Sequence, residues 1–319
     1  MRNYLWFAMV IVGTMLIACC RAQHTPSPME SPLSPLSTPS SLSGSGLIAF
    51  YSDRETGHYQ IYVMDSDGSN VRRLTDFAPP NSQPTWSSDG SRIAFTSGKD
   101  DINNFTLYVI NVDGTGPRRL LEPGHGDNWH PAWSPRGDLI AFQSNRDRDA
   151  GDPNLEIYVV TVETGQVTRL THSEKTDSMP AWSPDGEKIA FVSNRDGDGE
   201  IYVMKADGTD QVRLTHSPGE DTQPAWSPDG TKILFMSTRD GSGEIYVMNA
   251  DGSEQTRLTF TELYGEWTPR WAMHGTRILF SASYDKNWEI YLMDLDGSNV
   301  VRLTDDPGDD RHAAWLDLD

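Results

Sequence analysis

The sequence predicts an all-β fold, a six-bladed β-propeller with four antiparallel strands per blade, its ring closed by the C-terminal strand pairing into the first blade. Three observations carry this. A motif built on Pro-Ala-Trp-Ser-Pro-Asp-Gly recurs, and its tryptophans Trp86, Trp133, Trp182, Trp226, Trp271 and Trp315 are spaced 47, 49, 44, 45 and 44 residues apart. A period of about 40–50 residues with a Trp and turn signals is that of propeller blades. Each period holds four short strand-like runs. The first and last copies are incomplete, and each supplies what the other lacks.

The chain opens with an export signal. Arg2 gives a positive start, and Leu5 to Ala18 is apolar apart from Gly13 and Thr14, the pattern of a secretory leader. The run is shorter than the ~20 residues a membrane-spanning helix needs. It ends in Leu16-Ile17-Ala18-Cys19, which resembles the lipobox of bacterial lipoproteins. That resemblance implies that residues 1–18 are removed and that Cys19 carries the lipid that holds the protein to a membrane; two or three acyl chains anchor stably where one does not. Residues 19–45 are rich in Ser and Pro and show no periodic apolar face, so they read as a tether. Both cysteines of the chain, Cys19 and Cys20, lie in this region; the folded part, 46–319, is stabilised by packing and not by disulfides.

Copy four shows the blade most clearly. Strand A is read over Pro180–Ser183, followed by a Ser-Pro-Asp-Gly turn with Gly186 free to take φ > 0. Strand B is KIAFVS (188–193), strand C is EIYVMK (200–205), and strand D is QVRLT (211–215) after an Asp-Gly hairpin. Strands B and C are apolar on both alternating faces, as a sheet buried between two neighbouring sheets requires. Copy one starts at strand B (GLIAFYS, from Gly46), and the chain ends with a lone strand A (HAAWLDLD). Pairing them closes the ring and removes two open edges.

Composition narrows the function. The 319 residues carry a formal net charge of −20, which disfavours nucleic acid, since little here could release counterions from a phosphate backbone. No Gly-x-Ser-x-Gly nucleophile elbow occurs, which argues against the peptidases that carry propellers beside a hydrolase domain.

The PAWSPDG runs, the IAF strands, the SNRD loops at 144–147 and 193–196, the IYVM strands at 61–64, 201–204 and 245–248 and the RLT ends resemble the propeller of the TolB family. TolB carries an α/β domain ahead of its propeller and works with the lipoprotein Pal in envelope integrity; here 45 residues of leader and tether occupy that place. The resemblance implies an envelope-located, extracytoplasmic, protein-binding propeller; with no catalytic constellation recognised in the sequence, the chain is expected not to be an enzyme.

In a propeller the D–A and B–C loops share one face, and here they are the long and variable ones. Binding residues concentrate on such loops. The residues expected just before each strand A ring the channel mouth: Gln83, His130, Met179, Gln223, Thr268 and His312. Histidines gather on this face (His58, His125, His130, His172, His216, His312), as do Asp127, Asp177, Asp221, Asp309 and Asp310, with Asp196, Asp198 and Glu200 in one loop. No cofactor is expected, although carboxylates and imidazoles leave room for Ca²⁺ or another divalent metal. The Asp-Gly hairpins of the other face read as turns. Trp129, Tyr264, Trp267 and Trp288 interrupt polar loops and suit a protein or a sugar ring. The partner is thus an envelope protein or a glycan. A carbohydrate-binding or lyase-like propeller, with His130, Gln223, His312 and Arg311 at the channel mouth, is the alternative. A closed ring demands no second copy, so a monomer is favoured.

Overall fold

The computed structural model describes residues 46–318 except 56, 78–79, 100–103, 123–125, 148–153, 262–264 and 285–286. The leader, Cys19 and the tether therefore lie outside the described residues, as do His125 and Tyr264. The described chain forms six four-stranded antiparallel sheets. Five are made of consecutive strands; the sixth joins strands B, C and D of blade one to the last strand of the chain, Asp310–Asp317. In that pairing Ile48 faces Trp315 and Tyr51 faces Arg311. The ring closes as the complementary first and last copies require.

The interior lies between blades. Six clusters of buried side chains each join two adjacent blades; the cluster of blades one and six, for instance, holds Ile48, Phe50, Leu279 and Leu292. The strand-B phenylalanines Phe50, Phe95, Phe142, Phe191, Phe235 and Phe280 are all fully buried. Each packs on the strand-C tyrosine beside it, as Phe235 does on Tyr246 with ring centroids 5.5 Å apart. Burying apolar surface on both sides of every sheet is what makes the IAF and IYVM runs apolar at every position.

Strand A is also tied across blades. The indoles of Trp86, Trp182 and Trp271 donate to the carbonyls of Ala314, Ala132 and Ala225 in the preceding blade at 2.9, 3.1 and 3.0 Å. The Asp-Gly turns carry a second contact of this kind. Gly68 sits at φ 86°, and a Cβ there would fall 2.3 Å from the carbonyl oxygen of Leu303, so its lack of a side chain serves both the turn and the seam between blades.

Two boundaries differ from the sequence reading. Strand A of blade four runs over Asp177–Trp182, and strand D only over Val212–Arg213. Pro180, taken as the start of strand A, sits instead inside a β-bulge, where Met179 and Pro180 together oppose Phe191. A bulge has no ladder N–H to supply, so proline is accommodated within the strand.

The SNRD loops are explained by strand A. Arg195 and Arg239 reach the fully buried carboxylates of Asp177 and Asp221 at 2.8 Å, and Arg54 reaches Asp310 at 2.5 Å. The same guanidinium groups lie over the strand-B and strand-C rings, Arg239 at 4.6 Å from the centroid of Tyr246. In blade three the acid is replaced by Asn128, whose Oδ1 accepts from Arg146 at 2.6 Å.

This substitution sets up a pH test. Burial raises the Asp310 carboxyl to about 6, against the opposing pull of Ser52 and Arg54. Between an ordinary carboxylate value near 4 and about 6, the folded chain holds a proton that the unfolded chain has released. This group's contribution to stability is therefore present in acid and is lost as pH rises through about 6. Asp310→Asn, which copies blade three, should leave the fold intact and remove that part of the slope. Thermal melts of both proteins across pH 4–7 check this, and parallel curves would contradict it.

Candidate functional site: the channel mouth and its loop face

The six residues expected to ring the channel are the six bulge residues. Gln83, His130, Met179, Gln223, Thr268 and His312 all adopt left-handed backbone, with φ of 56, 51, 52, 60, 57 and 53°. They lie inside strand A, not before it: each is the third residue of its strand, at the register shift. Non-glycine residues adopt this conformation at a cost. The bulge re-aims their side chains relative to the regular pleat.

At the axis lies a cavity of about 210 Å³, lined by strand A of all six blades and including His130, Met179, Gln223 and His312. Gln83 and Thr268 stand behind it. Gln83 Oε1 accepts from the backbone N–H of His130 at 2.9 Å, and its amide nitrogen lies 3.1 Å from His130 Nε2. Thr268 is buried against Ser281, whose hydroxyl also accepts from the backbone N–H of His312 at 3.0 Å. Gln143 Oε1 accepts from the Met179 N–H at 2.9 Å.

Of the histidines read onto this face, His130 and His312 meet, with ring centroids 5.6 Å apart. His58, His172 and His216 are exposed on blades one, three and four. Burial and then the nearby Arg270 cation lower His130 to about 3 and His312 well below its ordinary value. Both imidazoles are therefore neutral near pH 7.

Arg270 is the residue the sequence reading missed. It projects into the axial cavity at the position held by Thr85, Ala132, Ala181, Ala225 and Ala314 in the other blades. Its signal was present: TPRW stands where the other complete copies have PAW or PTW.

The acidic residues of this face are largely framework. Asp177, Asp221 and Asp310 are fully buried and paired with arginine. Asp127 accepts from the N–H of Phe105 at 2.9 Å, and Asp309 from that of Trp288 at 3.0 Å. In the 196–200 loop, Asp196 accepts from the Tyr202 hydroxyl, while Glu200 is buried with Arg213 at 2.5 Å. Among the described residues no group of three His, Cys, Asp or Glu is arranged to hold a metal ion.

One exposed and several half-buried aromatics form a ridge across blades six and one. Trp267 is 42% exposed and meets Trp288 edge-on at 5.8 Å. Arg311 lies over Trp288 at 4.7 Å and binds Asp309 at 2.7 Å. Tyr59 donates to Asp309 and packs on Tyr51, which stacks on His312 at 6.3 Å. Trp129 instead packs against Phe105 at 6.0 Å.

The fold and this axial site define a closed six-bladed propeller with one elaborated face. The chain belongs to the TolB β-propeller domain family, whose model matches residues 75–179 and 152–268. Among curated proteins it is similar to the Tol-Pal system protein TolB of Actinobacillus succinogenes, 31% identical over 81 residues, which is 25% of this chain and 18% of that protein. Among solved structures it resembles TolB from Acinetobacter baumannii with a TM-score of 0.73 at 22% identity, covering 85% of this chain and 66% of that one. A more distant likeness is an oligogalacturonate lyase in complex with manganese, with a TM-score of 0.58 at 15% identity over 80% of this chain and 73% of that one. At these identities the structural matches speak to the fold alone.

Proposed function

We propose that this chain is an extracytoplasmic, lipid-anchored propeller that binds a protein partner of the cell envelope on its D–A and B–C loop face. The observation that carries the reading is the ridge from Trp267 through Trp288 and Arg311 to Tyr59. Trp, Tyr and Arg are residue types that dominate protein interfaces; here Trp267 is exposed and Trp288, Tyr59 and Arg311 are half-buried, all held in register by stacking and by Asp309. The likeness to Tol-Pal system proteins supports an envelope setting. The leader and Cys19 supply the anchor, and the tether lets the loop face reach a partner away from the membrane.

Pull-down from envelope extract with the full chain should capture a discrete partner. The double variant Trp267→Ala/Arg311→Ala should weaken that capture by about tenfold or more. Identical capture by the double variant would exclude the ridge. In the same preparation the wild-type chain should incorporate labelled fatty acid and Cys19→Ala should not; equal labelling of the variant would refute the anchor.

A further inference from the structure

We infer that the axial cavity is a carboxylate-binding site built on Arg270, with the neutral His312 imidazole as a donor beside it and His130 lining the wall. Five blades place Ala or Thr at this layer, and blade six places a guanidinium. Arg270 Nη1 donates to its neighbour Pro269's carbonyl at 2.9 Å, and Nη2 lies 3.5 Å from His312 Nε2. Among the described residues those are its hydrogen bonds, and the residues lining the cavity include no Asp or Glu. A cation set in a partly enclosed cavity without a counter-ion is costly, and an anion entering from solvent relieves that cost.

The charge identifies the class of ligand. Both histidines are neutral, so the cavity carries one positive charge, which matches a monoanion. The planar guanidinium fork fits a carboxylate in bidentate fashion. His312, whose Nε2 faces Arg270, keeps its Nδ1–H to offer, while the His130 ring is held between the Gln83 and Gln143 side chains. A divalent cation is disfavoured at the same place by Arg270. The volume, about 210 Å³, exceeds that of a bare carboxylate and admits a small acid or the terminal residue of a peptide. The inference rests on the cavity alone and not on the docking ridge.

The test uses Arg270→Ala, which copies the other blades and should fold. Wild-type and variant are titrated with acetate, with its neutral isostere acetamide, and with triglycine and triglycinamide, at constant ionic strength. Histidine ring NMR resonances and calorimetry are the readouts. Acetate should shift the His130 and His312 resonances saturably, acetamide should not, and R270A should weaken acetate binding by about tenfold or more. R270A should also raise both histidine pKa values, since it removes a cation that lowers them. Response to triglycine but neither to triglycinamide nor to acetate would equally support the site and assign its ligand to a chain terminus. Three results would overturn the inference: no response to any carboxylate, equal binding by R270A, or Mn²⁺ binding to the two histidines of the wild-type protein in preference to acetate.

Discussion

Deleting residues 311–319 is expected to abolish the closed ring. The deletion removes the strand paired with Gly46–Ser52, the carbonyl of Ala314 that Trp86 donates to, and Ala313, Trp315 and Leu316 from the seams on either side of blade one. Strand B of blade one then becomes an open edge of apolar sequence, the arrangement that invites pairing between chains. The truncated protein should accumulate as aggregate, and any soluble fraction should melt more than about 10 °C lower. A synthetic peptide of residues 310–319, added during refolding, should restore part of the loss by strand addition. A truncated chain that melts within about 2 °C of the full one would contradict closure as the source of stability.

The fold was legible because a blade constrains its residues twice. Strands B and C must be apolar on both sides, which IAFVS and IYVM state openly, and the turns need Gly at fixed offsets. The beginning of strand A was not legible. Asp177-Ser178-Met179 reads as a polar loop, and only in three dimensions does Arg195 come to rest on Asp177 and make that residue a buried strand position. The same pairing explains why Asp177, Asp221 and Asp310 looked like free carboxylates for a metal. Their arginines lie 18 residues downstream in blades four and five, and for Asp310 at the opposite end of the chain. The six bulge residues stood out in the sequence because they vary where their neighbours repeat, though only His130, Met179, Gln223 and His312 line the cavity. Arg270 was passed over because it stands one place before the repeated Trp, inside the stretch that reads as framework in the other copies.

The second large effect concerns the link between strands C and D. In four blades a Glu that begins strand C is buried beneath the Arg and Thr of the RLT end. In blade five Glu244 is fully buried; its Oε1 accepts from Arg257 and from the Thr261 N–H at 2.7 and 2.9 Å, and its Oε2 accepts from Thr259 at 2.6 Å. Arg257→Ala leaves that carboxylate buried without its cation, and such losses cost about 3–5 kcal/mol. Blade one shows the neutral solution: Gln60 takes the place of Glu, its Oε1 accepts from Thr75 at 2.5 Å, and Arg73 turns out to Glu55 at 3.0 Å. Glu244→Gln alone should therefore cost less than R257A. The double variant E244Q/R257A should recover much of the R257A loss, because the amide does not need a cation. Urea unfolding of the four proteins forms a closed cycle that measures the coupling. Equal costs for R257A in the wild-type and E244Q backgrounds would show that the arginine stabilises blade five through its packing on Phe260 and its bond to the Thr259 carbonyl, and not through the buried charge.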